Sequence, residues 1–130
     1  MTTLTEGTHA GEFLVSEANA GSTGVSRSRD TITILSGEVL VAGAIIAMVT
    51  ASGKYVERAN AADGDSDGSE TAVGILFKAV DATDGDAAGV GILRDAEFNT
   101  AEVVYKTGYV VDTDDTSAIA ELAAVGIIGR

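Results

Sequence analysis

The sequence predicts a mainly β, α+β domain: a compact small β-barrel or β-tulip with one short C-terminal helix and an extended N-terminal arm. Three observations predict it. Short runs alternate apolar and polar residues between turns rich in Gly and Asp. One stretch alone, Ser117 to Val125, places apolar residues at helical spacing. The first 28 residues, rich in Thr, Ser, Gly and Ala, carry neither pattern. The expected division is therefore an arm over residues 1–28 and a β-rich domain over residues 29–130.

Each element has its own signal. Thr31-Ile32-Thr33-Ile34 alternates with period two and reads as a strand. Ser36-Gly37-Glu38 is a turn, and the apolar run Val39 to Val49, interrupted at Ala42-Gly43, reads as two buried strands. Ser52-Gly53 turns the chain into Lys54-Tyr55-Val56. Asn60 to Glu70 is an acidic loop. Val73, Ile75 and Phe77 alternate with Gly74, Leu76 and Lys78, which fits a strand covered in part on both faces. Asp81 to Asp86 is a second acidic turn, followed by strands at Val90 to Leu93 and Val103 to Tyr105, with Tyr109 to Val111 extending the sheet. In the helix, Ile119, Leu122 and Ala123 share a face, Asp114 and Asp115 precede the positive end, and Gly126 stops it. Ile127-Ile128 is expected to return to the core.

Composition narrows the function. The chain has 130 residues, enough for one domain, and only 5% are aromatic. A core of Val, Ile, Leu and Ala buries modest area, so oligomerisation is expected to add burial. The net charge is −12. Nucleic acid and anionic membranes would repel such a chain, because both are bound through clustered Lys and Arg. There is no Cys, hence no disulfide and no thiolate metal site. No signal peptide and no apolar run long enough to span a bilayer are expected.

Catalytic and metal motifs fail on inspection. Asp63-Gly64-Asp65-Ser66-Asp67-Gly68 fits the first half of an EF-hand loop. Position twelve, which should be a bidentate Glu, is Gly74, and Glu70 arrives four residues early. A solvated loop is expected. His9, the single histidine, falls in the arm, where it is not expected to pair with an oriented nucleophile or a metal partner. Asp95 and Glu97 lie close to Arg94 and suggest an ion-pair or interface role rather than acid–base chemistry. Gly89-Val90-Gly91 begins a phosphate-loop pattern, but Arg94 replaces its third glycine. No enzyme activity and no cofactor are expected.

Phe13-Leu14-Val15 is an apolar island in the arm. It fits either a first strand packed on its own body or a strand added to another chain's sheet edge. Ordering a long polar leader costs more than three apolar side chains return. Several leaders on one oligomer would overcome this, since later attachments become intramolecular.

Beyond these local readings, a run of segments resembles the head decoration proteins of lambda-like tailed phages. It begins with His9-Ala10-Gly11-Glu12-Phe13-Leu14-Val15-Ser16-Glu17-Ala18-Asn19. It continues through Ser28 to Asp30, Gly37 to Gly43, Ser52 to Tyr55, Asp67 to Leu76, Val80 to Thr83, Arg94 to Asn99 and Ala118 to Ile128. The resemblance implies a non-enzymatic virion protein, made in the bacterial host cytoplasm and placed on the outer surface of the capsid. It implies a homotrimer that binds the major capsid protein of an expanded head and stabilises it against internal DNA pressure. It points to Glu12, Phe13, Leu14 and Val15 as the capsid-binding part of the arm. The alternative is a small β-rich carrier or binding module unrelated to capsids, with Lys54 as the residue to be modified at a hairpin tip.

Overall fold

The computed structural model describes residues 9–18 and 27–130. The proposed linker from Asn19 to Gly24 and the leader up to residue 8 lie outside the described residues. Ten strands and one α-helix follow in order: β1 (Leu14–Glu17), β2 (Arg29–Ile34), β3 (Val39–Leu40), β4 (Ile45–Met48), β5 (Tyr55–Glu57), β6 (Gly74–Leu76), β7 (Val80–Asp81), β8 (Ala87–Ile92), β9 (Ala96–Phe98), α1 (Asp114–Ala124) and β10 (Ile127–Gly129). A 3-10 turn covers Ala61–Asp63.

Five strands form a ring in the order β2-β5-β4-β6-β8. Most of its seams are antiparallel ladders, and β2 with β8 is the longest, running from Arg29↔Ile92 to Ile34↔Ala87. The seam between β2 and β5 is a single parallel pair, Ile34↔Tyr55, so the ring closes without becoming a regular barrel. Two glycines of β8 keep its interior narrow: a Cβ on Gly89 would press on Val80 and Ile34, and one on Gly91 on Ile32.

Alternation along the ring strands divides the core in two. Ile46 and Leu76 point to the ring interior and pack with Ile32, Ile34, Leu40 and Val80. Their neighbours Ile45 and Ile75 point outward, where Phe13, Phe98, Leu122 and Ile127 cover them. This explains why the runs at 45–47 and 74–76 are apolar throughout: both faces of these strands are buried.

The outer layer is α1 with a three-stranded sheet in the order β1-β9-β10. β9 pairs antiparallel with β1 and parallel with β10, and α1 lies in the crossover between β9 and β10. The helix begins three residues before the expected Ser117 and buries Ala118 and Leu122. Gly126, at φ +86°, turns the chain into β10, where Ile127 is buried and Ile128 is exposed.

Two expected strands are absent among the described residues. Val103 to Tyr105 contributes one isolated bridge, Ala44↔Val104, with Val103 buried. Tyr109 to Val111 is an exposed turn rather than a sheet extension. Gly108 at φ +87° and Asp112 at φ +63° bend this segment too sharply for a ladder.

Candidate functional site

The four residues expected to bind a partner lie together along the outer edge of the β1-β9-β10 sheet. A clasp between chain segments holds them there. Gly11 donates its N–H to the Phe77 carbonyl at 2.9 Å. Its φ is +70°, and a Cβ would stand 2.7 Å from the Phe77 ring, so glycine alone lets the backbone lie on that ring. Arg29 covers Phe77, with its guanidinium carbon 4.0 Å from the ring centroid. The same guanidinium forks onto Glu17, Nε donating to Oε2 at 3.0 Å and Nη2 donating to Oε1. Ser28 Oγ also donates to Glu17. The Glu17 side chain is only 9% exposed, which makes this pair stronger than an ordinary surface ion pair.

Within this frame the four residues differ. Phe13 is 1% exposed and packed in the outer core cluster, so in the single chain this segment lies on its own body. Its carbonyl accepts the Asn99 N–H at 2.8 Å. Leu14 is half-buried and pairs with Phe98. Val15 sits in a bulge of the ladder and is 54% exposed. Glu12 is exposed, and its carboxylate accepts the His9 N–H at 2.8 Å.

The outer face of this sheet is polar and ordered. Register places Ser16, Glu97 and Ile128 in one row across the three strands. Ser16 Oγ donates to Glu97 at 2.8 Å, and Arg130 Nη2 donates to the other carboxylate oxygen at 2.6 Å. Arg130 and Ser16 together hold the Glu97 carboxyl below its ordinary pKa. At the neighbouring corner Asp95 pairs with Arg27 at 3.1 Å, while Arg94 reaches Asp30. Asp95 and Glu97 are thus both in ion pairs, with Arg27 and Arg130 rather than with Arg94.

A second polar cluster joins α1 to the ring. Arg58 is 8% exposed and donates to Glu121 from Nε at 2.7 Å and from Nη2 at 2.9 Å. Glu121 also accepts the Ala72 N–H. Asp114 is 2% exposed and accepts from the Ala61 N–H at 2.9 Å and the Val110 N–H at 2.7 Å. Those two backbone bonds hold its pKa below the usual carboxylate value, against the opposing effect of burial. The cavity between Arg58, Asn60, Tyr105 and Asp114 measures about 10 Å³, room for a single water.

The acidic loop uses its carboxylates locally. Asp63 accepts from Lys106 and from the Asn60 N–H, Asp67 from Ser69, and Glu70 from the Gly68 N–H. Among the described residues no group of three His, Cys, Asp or Glu side chains is placed to hold a metal ion. Lys54 binds Asp86 at 2.5 Å. No helix among them is long and apolar enough to cross a membrane.

The sequence did not point to Gly11, Glu17, Arg29 and Phe77 as one clasp. Their separation in the chain hides it, although a glycine beside an apolar island was visible.

The prominent surface features are exposed strands and ion-paired faces. The family model for bacteriophage lambda head decoration protein D matches residues 3–127. The match covers nearly the whole chain, so this chain belongs to that family, a structural component of the phage capsid with a decoration role. No curated protein matches it.

Proposed function

We propose that this chain is a trimeric cement protein, seated on the outer surface of an expanded phage head and bound to the major capsid protein. Each trimer bridges neighbouring capsid subunits, so that swelling under internal DNA pressure must break additional contacts. The segment Glu12-Phe13-Leu14-Val15 carries the capsid contact. Phe13 anchors it to the body, and Val15 and Glu12 present the sheet edge to a strand of the partner.

Family membership over residues 3–127 carries this reading. The position of β1 as an outer strand of its sheet supports the assignment of the contact. The modest, largely aliphatic core is consistent with a protein that gains burial by association.

Sedimentation of the purified protein, alone and with expanded heads lacking decoration protein, tests the proposal. Trimers that saturate the heads and raise their heat resistance are expected. A monomer, or a protein that stays in the supernatant, would refute it. Val15→Asp leaves Phe13 in place and should weaken head binding, because Val15 is exposed in a bulge of the edge strand. Undiminished binding would remove Val15 from the contact.

A further inference from the structure

The chain contains three Asp-Gly pairs, Asp63-Gly64, Asp67-Gly68 and Asp84-Gly85. In such a pair the glycine nitrogen can attack the preceding side-chain carboxyl, because no Cβ shields it and its backbone is permissive. Attack has two requirements. The carboxyl must be neutral, so that its hydroxyl leaves as water, and the intervening peptide must be free to turn toward it. The structure meets these requirements unequally at the three pairs.

Asp63 closes the 3-10 turn, which fixes its backbone. Lys106 and then the Asn60 N–H hold its carboxyl ionised, below the ordinary pKa. Asp67 is held more tightly. Its carboxylate accepts from Ser69 Oγ and the Ser69 N–H, which lower its pKa as well. The peptide joining it to Gly68 is bonded at both ends. The Asp67 carbonyl accepts the Thr50 N–H at 2.9 Å, and the Gly68 N–H donates to Glu70 at 2.9 Å. A Cβ on Gly68 would stand 2.5 Å from the Met48 carbonyl oxygen, so this backbone has no room to turn.

Asp84-Gly85 is the tip of the turn between β7 and β8. Asp84 is exposed, and among the described residues no hydrogen bond or ion pair holds its carboxyl. The Gly85 N–H makes a long bond of 3.3 Å to the Ala82 carbonyl, and a Cβ on Gly85 would meet nothing within 4 Å. The tip borders an open groove of about 440 Å³ lined by Asp81, Asp84, Gly85, Asp86 and Ala87, which admits water. The two feet of the turn are fixed. Ala82 is bonded through its backbone to Gly37 and Glu38, while Asp86 accepts the Ser36 N–H and pairs with Lys54.

We propose that Asp84-Gly85 is a self-modifying site, where this protein forms isoaspartate without an enzyme. The Gly85 nitrogen gives up its proton and bonds to the Asp84 Cγ. The Cγ–OH bond breaks, and proton and hydroxyl leave as one water. Water then opens the cyclic imide. Cleavage at Cγ restores aspartate. Cleavage at the backbone carbonyl carbon turns that carbon into a free carboxylate and leaves the main chain running through Cγ, one atom longer. No oxidant or reductant is consumed, and mass and net charge are unchanged. The added atom draws Asp86 away from Ser36 and Lys54.

The purified protein would be aged for weeks in heavy-oxygen water at physiological pH and temperature, beside Asp84→Glu and Gly85→Ala. Electron-transfer fragmentation of its peptides locates isoaspartate, and heavy-oxygen uptake reports opened imides. Isoaspartate is expected at position 84 in excess of positions 63 and 67 together. Gly85→Ala should form much less at position 84, and Asp84→Glu none, because the longer side chain closes its ring far more slowly. Hydrogen exchange at the Ser36 amide should quicken in the aged wild type and stay constant in Asp84→Glu. Equal isoaspartate at all three pairs, a larger share at 63 or 67, or no heavy oxygen at 84 would overturn the assignment. Unchanged Ser36 exchange in protein isomerised at 84 would overturn the displacement of Asp86.

Discussion

The ring interior and the layer outside it are built differently. The interior cluster is aliphatic and draws its buried members from residues 32–82. The outer cluster holds both fully buried phenylalanines, Phe13 and Phe98, and gathers residues from 13 to 127. They share walls: β4 gives Ile46 to one and Ile45 to the other, and β6 gives Leu76 and Ile75. The interior closes within residues 29–92, without either end of the chain. The outer cluster exists only when β1, α1 and β10 are all docked. The proposed capsid contact at residues 12–15 thus belongs to the more composite half of the molecule.

The sharpest way to break this contrast is Phe13→Ala. It removes a fully buried aromatic and should cost about 3–5 kcal/mol in denaturant unfolding. Hydrogen exchange should accelerate in β1, β9 and β10 while the β2–β8 ladder stays protected. Uniform loss of protection would show that the two clusters form one cooperative unit.

Glu121→Gln tests the tie between the halves. It leaves Arg58 charged and nearly buried without its counterion, at a cost of roughly 2–4 kcal/mol. The expected signature is a lower urea midpoint, with α1 and the Ala72 amide opening ahead of the ring. An unchanged midpoint would mean that apolar packing of Ala118 and Leu122 holds the helix unaided.

Acid should act more gently. Asp63, Asp67, Asp81, Asp86, Glu97 and Asp114 all have pKa values lowered by hydrogen bonds. Each stabilises the fold above the ordinary carboxylate pKa and loses that contribution as pH falls through its lowered value. Glu57 has the opposite sign: burial and then Glu38 raise its pKa, so its charged form opposes folding at neutral pH. Stability should therefore decline below about pH 4. Glu57→Gln should raise the neutral midpoint slightly, with the gain vanishing in acid. Urea midpoints at pH 7 and pH 3 check both statements.

Much of the ring could be read from residues alone, because period-two alternation at 31–34 and 73–77, and the apolar run at 90–93, record one-sided or two-sided burial directly. The helix was legible for the same reason, with Gly126 marking its end. The outer sheet was not. Ala96-Glu97-Phe98 and Ile127-Ile128-Gly129 are too short for periodicity, and each becomes a strand through pairing with the other. Val103 to Tyr105 has β propensity, yet it finds one bridging neighbour at Ala44. Residues 11–18 read as leader by composition, because what seats them lies far along the chain: Phe77 for Gly11, Phe98 for Leu14, and Arg29 beyond the intervening linker for Glu17.

The lone Ile34–Tyr55 pairing has a mechanical corollary. A cylinder laced by ladders on its other sides and by one stitch on this side will part first at the stitch. A pull transmitted through β2 would be released there as a small, reversible gape. The remaining staves would stay laced, and the molecule could spring shut once the load falls.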